Sequence, residues 1–409
     1  MTGSLKDKKN IEIAEKVLSK YKLCDHCLGR LFAKIGNGVT NKERKNQLIK
    51  HLKQYETVEV DNCWLCSGLV GEIQHFAFLI SESLEKYEFE TFLVGTKIDD
   101  DILDKEQELL DFTESEYAES IKTELKREIG KILEEKLDKE VNFEKPTIMA
   151  VIDTSFDVVN LQIKSLFIYG RYNKYRRDIP QTRWFCRICR GKGCRKCDYT
   201  GKMYETSVEE LVAKKTLEGT ESSDESFHGC GREDIDALML GNGRPFVLEI
   251  KDPKVRNLDL SQLERKINIH GKGKIKVTNL RFSDRDEIAR IKAADFRKTY
   301  RVVLIGEKVI NKEKLKKVAQ ALRDKTISQF TPSRVARRRA NMIREKKIHN
   351  CNIESIDGTM ATLTIEAESG TYIKELISGD NGRTRPSISE MIDVPCKVTE
   401  LDVIEVKGE

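Results

Sequence analysis

The chain lacks the features that would send it into a membrane or out of the cell. No apolar run in its 409 residues approaches the roughly 18–20 needed to cross a bilayer. Met1 to Lys20 carries lysine and glutamate where a secretory leader would have an apolar stretch and a cleavage site. A soluble, cytoplasmic protein is expected. Proline is scarce, seven in all, and no low-complexity stretch or internal repeat of domain size is present. The excess of one charge sign is small: Lys+Arg 73 against Asp+Glu 68 leaves +5. That surplus becomes informative only once it is located. The length exceeds what one hydrophobic core organises, so two or three domains are expected.

Cysteine is plentiful by contrast. Eight of the 11 fall into four C-x-x-C pairs, Cys24/Cys27, Cys63/Cys66, Cys186/Cys189 and Cys194/Cys197. A reducing compartment does not sustain four disulfides, and C-x-x-C turns two thiolates toward one ion. Structural zinc, one or two ions, is the expected cofactor. The first two pairs are read as one four-cysteine site clamping two chain segments, and the last two as a compact knuckle. Cys351 and Cys396 sit in apolar stretches and read as small buried hydrophobes.

The fold class expected is α+β and multidomain. Residues 9–20 read as an amphipathic helix, and Thr40-x-x-Glu43 is a capping box predicting a helix through Tyr55. Between Asp99 and Ser120 ten acids face one base, Lys105. This −9 stretch is predicted to be a solvated face and excluded as a nucleic-acid surface. A helical period runs from Glu116 to Glu140, followed by β-rich runs at Thr147–Asp153 and Val158–Tyr169. From Glu205 onward helical and strand-like runs alternate, with strands predicted at Phe246–Ile250, Ile275–Phe282, Thr299–Gly306 and Thr362–Glu368, which fits a mixed sheet with flanking helices. The knuckle is strongly basic: seven Lys/Arg between 183 and 202 face Asp198 alone. Its C-x-x-C-x-G-x-G core also occurs in J-type co-chaperones, but it is not repeated and the chain has no His-Pro-Asp.

The segment His228-Gly-Cys-Gly-Arg-Glu-Asp-Ile-Asp, continuing through Met239-Leu-Gly-Asn-Gly-Arg-Pro-Phe246, crowds glycine and charge into one loop. Gly229, Gly231, Gly241 and Gly243 there allow close backbone approach or positive φ. Arg232-Glu233-Asp234 resembles the Arg-x-Asp triplet of pseudouridine synthases, and the longer match is similar to the archaeal tRNA pseudouridine-54/55 synthases, the Pus-ten family. The resemblance covers essentially the whole chain and implies its layout. A helical four-cysteine segment would occupy 1–70, a THUMP-like RNA-binding domain 55–180, a zinc knuckle 181–204, and a pseudouridine-synthase-type catalytic domain 205–409. Leu238 departs from the motif, which has arginine there.

The resemblance also implies roles. Asp234 is the catalytic carboxylate, acting as nucleophile at the sugar or as a base on a sugar proton. Lys374, in Gly370-Thr-Tyr-Ile-Lys374, sits beside it. Tyr300 stacks on the target base, Tyr372, Ile373 and Arg232 contact substrate, and Leu401 packs under the site. The isomerisation needs no redox change, so no organic cofactor is implied. Residues 331–349 carry seven Lys/Arg against Glu345 and resemble the family's thumb-like loop. Arg334, Arg337, Arg338 and Arg339 there, with Arg383 and Arg385 in a second loop, are expected to meet RNA phosphates. The expected partner is tRNA, with no membrane and no obligatory protein partner evident. The alternatives are a THUMP-bearing enzyme of other chemistry, disfavoured because no strand–Gly-rich–helix fingerprint or P-loop is present, and a non-catalytic zinc RNA-binding protein.

Overall fold

A computed structural model of the chain describes residues 3–36, 38–337 and 340–408, and in it the helical and β-rich stretches sort into two units, Met1–Lys164 and Ser165–Glu409. None of the described helices is long and apolar enough to cross a membrane.

In the first unit, α1 (Lys8–Lys20) buries Ala14 and Val17 and leaves most of its lysines exposed. It is followed by α2 (Asp25–Arg30) and α3 (Asn41–Leu48). The capping box forms as expected: Thr40 Oγ1 accepts from the Glu43 N–H, and Glu43 accepts from the Thr40 N–H at 2.7 Å. The helix does not reach Tyr55, however. After one 3-10 turn at Ile49–His51 the chain extends at Leu52, and the Val58 N–H bonds the Leu23 carbonyl at 3.1 Å. This contact draws Thr57-Val58 back onto the segment before Cys24.

The unit continues with α4 (Ile73–Leu84), β1 (Thr91–Lys97), α5 (Asp100–Thr113), α6 (Ile121–Leu137), β2 (Glu140–Val141), β3 (Ile148–Asp153) and β4 (Val158–Ile163). The sheet runs β2-β1-β3-β4, parallel except for the β3/β4 pair. Ile121, Leu125, Ile129 and Leu133 recur along one side of α6, all fully buried in one core with Phe92, Ile148 and Ile152. Most of the acidic stretch lies on α5 and its flanks, but Glu106 is buried, accepting from the Ile121 N–H at 2.7 Å and facing Arg30 at 3.6 Å.

The second unit contains β5 (Leu166–Lys174), α7 (Val208–Thr220), β6 (Asp224–Gly229), β7 (Leu238–Lys251), α8 (Leu260–His270), β8 (Ile275–Ser283), α9 (Arg285–Ala293), β9 (Lys298–Gly306), α10 (Lys312–Ala321), β10 (Lys325–Phe330), β11 (Ile343–Asp357), β12 (Met360–Ala367), α11 (Ile373–Ser378), β13 (Thr384–Arg385), α12 (Ile388–Ile392) and β14 (Cys396–Val406). Its ten-stranded sheet runs β13-β10-β11-β12-β9-β14-β7-β5-β8, with β6 added against β7. Every pair is antiparallel except β14/β7, so the sheet is mixed, as expected.

The β-rich run expected at 158–169 is therefore two strands in two sheets. β4 pairs with β3, while β5 lies between β7 and β8. Lys164-Ser165 separates them, and the second unit begins there rather than after residue 180 or at 205. The knuckle is a hairpin projecting from this unit. Its stem closes where the Val208 and Glu209 N–H groups bond the Pro180 and Gln181 carbonyls at 3.0 and 2.9 Å.

Candidate active site

Asp234 sits on the loop that leaves β6 at Gly229 and enters β7 at Leu238. Buried polar groups hold that loop. Glu233 is 7 % exposed, pairs with the Arg244 guanidinium at 2.8 Å and accepts from the Tyr172 hydroxyl at 2.8 Å. The Gln181 amide donates to Tyr172 Oη at 2.8 Å and to the Gly231 carbonyl at 2.9 Å. Arg244 also donates to the Cys230 carbonyl at 2.9 Å. Lys174, fully buried, donates to the carbonyls of Ile179, Asp234 and Ile235 at 2.8, 3.4 and 3.2 Å. Removing such charges from water is costly unless each is paired, so the set favours one loop conformation. Burial lowers the Lys174 pKa, with Glu233 pulling the other way, and burial raises that of Tyr172 well above its ordinary value. Gly231 adopts φ +74, and a Cβ at Gly229 would lie 2.7 Å from Gln181 Nε2. At these two positions the glycines meet the need their sequence context predicts.

Two cations flank the Asp234 carboxylate. Lys374 Nζ, from α11, lies 3.3 Å from Oδ2, and the Arg334 guanidinium, from the turn after β10, lies 3.2 Å from the same oxygen. Both are shared with neighbouring acids: Lys374 contacts Asp236 at 2.8 Å, and Arg334 bonds Glu375 at 2.7 Å. Burial works to raise the Asp236 carboxyl, but the Lys374 hydrogen bond and charge hold it below the usual carboxylate range. The start of α11 is fixed by Gln329 on β10. Its fully buried amide accepts from the Tyr372 N–H at 2.9 Å and donates to the Tyr372 carbonyl at 3.0 Å.

Together these groups line an open cleft of about 400 Å³ with Arg232, Lys298, Tyr300, Tyr372, Ile373, Leu401 and Val403. Tyr300 on β9 is 8 % exposed, and burial pushes its hydroxyl up to about 12, in spite of nearby Arg244. Ile373 and Leu401 supply apolar wall. The structure thus brings together all seven residues expected to be catalytic or substrate-binding: Asp234, Lys374, Tyr300, Tyr372, Ile373, Leu401 and Arg232. Arg232 is exposed.

The expected RNA contacts lie less uniformly. Arg334 enters the cleft as an ion-pair partner of Asp234. Arg337 is exposed outside it, and Arg338 and Arg339 fall outside the described residues. Arg383 donates to the Thr331 carbonyl at 3.1 Å and lies over the Phe330 ring, while Arg385 on β13 is exposed. Sequence reasoning missed Lys174, Gln181, Tyr172 and Lys298. Lys174 heads the run Lys-Tyr-Arg-Arg, which reads as surface charge, and only the pairing of β5 with β7 turns its side chain inward.

Each cysteine group gathers as expected. In both sets, Cys24/Cys27/Cys63/Cys66 and Cys186/Cys189/Cys194/Cys197, the four sulfurs lie within 4.8 Å of one another. The separations of Cys24–Cys66, Cys186–Cys194 and Cys189–Cys197 are 3.9, 3.9 and 3.8 Å. Four thiolates about 2.3 Å from one tetrahedral ion stand about 3.8 Å apart, so both donor sets fit a zinc ion. Backbone N–H groups of Cys24, Cys194 and Gly201 point at sulfur at 3.3 Å, as they do toward thiolates. The first set is fully buried, whereas Cys189 and Cys194 of the second are partly exposed.

The family model described as Pus10, C-terminal, matches residues 167–407, and that described as Pus10 THUMP domain, archaeal, matches 76–153. A protein of Methanothrix thermoacetophila named tRNA pseudouridine synthase Pus10 is 39% identical, with 97% of this chain and 94% of its own covered. One of the same name from Methanocaldococcus jannaschii is 42% identical, with 97% and 95% covered. Among solved structures, a Cbf5-Nop10-Gar1 complex aligns at 16% identity and TM-score 0.31 over 49% of this chain and 45% of that one.

Proposed function

The chain belongs to the Pus10 family, and from that premise and the cleft around Asp234 we propose that it isomerises uridine to pseudouridine in tRNA, in the T-arm loop at positions 54 and 55. The observation that carries the reading is the Asp234 carboxylate held 3.2–3.3 Å from two cations, in a cleft that also presents the Tyr300 ring. An ionised carboxylate is what both routes to the product require, attack at C1′ or removal of the C2′ proton. Arg334 and Lys374 each also hold a second acid, which fixes where their charge sits before substrate arrives.

The reaction exchanges one bond for another. The N1–C1′ bond breaks, C5 joins C1′, the C5 proton leaves and N1 gains one. A base must leave its stack to reach Asp234, and Tyr300 offers it a flat partner. Arg337, Arg383 and Arg385, outside the cleft, supply phosphate contacts, Arg338 and Arg339 of the same basic stretch supply others, and the THUMP-like domain supplies more. Zinc is the ion that suits the two cysteine sets, and its role is structural: each set of four thiolates closes a local fold. A tRNA substrate and reduced, grouped thiols fit a cytoplasmic location.

The test is to incubate the purified protein with an unmodified tRNA transcript, adding nothing else, and to map pseudouridine. Product at 54 and 55 in the wild type and none with Asp234→Asn, at nearly unchanged tRNA affinity, is expected. Full activity in that variant would overturn the assignment of Asp234, and product confined to other positions would overturn the T-arm assignment.

A further inference from the structure

We propose that Lys298 is a further catalytic residue of this cleft, a buried ammonium that binds the uracil ring and stabilises the negative charge it carries while detached from the sugar. The inference rests on the pseudouridine-synthase reading and deepens it.

Lys298 and Tyr300 are two residues apart on β9 and so project from the same face of the sheet, both into the cleft. The ring that would stack on the base and the ammonium are therefore neighbours by strand geometry alone. Lys298 is 5 % exposed. Its Nζ donates to the Phe296 carbonyl at 3.1 Å and to Ser369 Oγ at 2.9 Å. Those two bonds aim it between the start of β9 and the loop leading to Lys374, and leave one of its three N–H donors with no acceptor among the described residues. The catalytic loop passes close by: a Cβ at Gly231 would lie 4.0 Å from Lys298 Cε.

No carboxylate lies within ion-pair distance of Lys298 among the described residues. The charged and titratable groups acting on it are the cations Arg244 and Lys346, which oppose its charge, and Asp295 and Cys230, which support it. Burial first, then Arg244, brings its pKa down to about 8. A buried cation without a carboxylate is unfavourable in the empty protein and becomes favourable when an anion arrives.

The reaction supplies that anion. When N1–C1′ breaks, the electron pair stays on the base and spreads over N1, O2, C5 and O4. The sugar carbon is meanwhile bonded to Asp234, or C2′ has given its proton to it. After the base turns, the C5 electron pair forms the new bond to C1′, Asp234 is released or returns its proton, the C5 proton leaves and N1 takes one up. Lys298 keeps its proton throughout. It lowers the energy of the detached uracil anion, whichever first step operates, and a fixed donor of this kind is worth most where charge develops.

The test is single-turnover conversion of a tRNA transcript by wild type, Lys298→Met and Lys298→Gln at saturating enzyme, with tRNA affinity measured beside it. Lys298→Met should slow conversion about 10²–10³-fold with affinity within about threefold. Lys298→Gln, which keeps a donor without the charge, should fall between. The wild-type rate at sub-saturating enzyme should decline above about pH 8 as Lys298 loses its proton, and the variants should lack that decline. A variant at wild-type rate, or one impaired only in affinity, would overturn the proposal. If neither variant folds, the wild-type profile decides alone, and a rate that stays level to pH 9.5 would refute it. An inactive wild type would instead refute the underlying reading, and the inference with it.

Discussion

Arg334 and Asp234, one hundred residues apart in sequence, lie with guanidinium nitrogen and carboxylate oxygen 3.2 Å apart, while the same guanidinium is fixed by Glu375 at 2.7 Å. The strongly basic stretch 331–349 is thereby tied to the carboxylate at its N-terminal end, and Arg344 and Lys346 of the same stretch also line the cleft.

Arg334→Ala should therefore act on the chemical step as well as on RNA affinity. Loss of the positioned charge is expected to slow single-turnover conversion about a hundredfold. Glu375→Gln should reproduce part of that loss, because it frees the guanidinium. Unchanged conversion rates in both would show that the contact is incidental.

Substituting Arg337 and Arg385 by Ala should leave conversion at saturating enzyme intact. Both are exposed and outside the cleft. Weaker tRNA binding with a shallower dependence on log salt, by about 0.7–0.9 per lost phosphate contact, is expected. A slope equal to that of the wild type would remove these residues from the RNA surface.

Lys174→Met tests the hold on the Asp234 loop. Three carbonyls lose their donor and Glu233 loses one of its two nearby cations. Urea unfolding should report a loss of about 2–4 kcal/mol, together with slower conversion in the fraction that remains folded. A loss under about 1 kcal/mol with normal activity would mean that water replaces the ammonium.

Glu225 on β6, the strand feeding the Asp234 loop, gives a pH dependence. Burial and the neighbouring Glu209 push its carboxyl up to about 7, against an ordinary 4.5, in spite of Arg183 at 3.3 Å. The folded state thus holds this proton more tightly than the unfolded one. The associated stability is complete below about pH 4.5 and is lost as pH rises through 7. Glu225→Gln should raise stability at pH 8 by about 1–2 kcal/mol and leave it unchanged at pH 4. Equal melting shifts at both pH values would exclude a titrating Glu225 as the cause.

Elemental analysis should find about two zinc ions per chain, and Cys189→Ser should remove about one. A chelator should empty the partly exposed knuckle before the buried set. Activity should fall with that first ion, because Gln181, in the knuckle stem, bonds both Tyr172 and the Gly231 carbonyl. Full activity in the knuckle-depleted protein would show that the stem holds Gln181 without metal.

Features set by local sequence were legible in advance. The capping box at Thr40, the periodic apolar residues of α6, the strands near 246–250, 275–282, 299–306 and 362–368, and the cysteine pairs all depend on a few neighbouring residues. Glycine placement around Asp234 and the Gly-Thr-Tyr-Ile-Lys374 motif allowed the cleft residues to be named. What stayed hidden depends on long-range pairing. Lys174 reads as surface charge until β5 is placed between β7 and β8, and Lys298 reads as a strand-leading lysine until Ser369, 71 residues on, supplies its acceptor. The end of α3 was missed because the path the chain takes after it depends on a distant partner, the Leu23 carbonyl that accepts from the Val58 N–H.

The position of β5 also dictates where this protein can be cut. A fragment begun at residue 205, at the sequence-derived border, would lack the strand that bridges β7 and β8 and the lysine that ties down the Asp234 loop. Its bared β7 edge would invite pairing between molecules and precipitation. Grafting or swapping the THUMP-bearing half between relatives should succeed only when the splice is made at Lys164-Ser165. The nine residues that follow travel with the enzyme, although in sequence they look like the last strand of its neighbour.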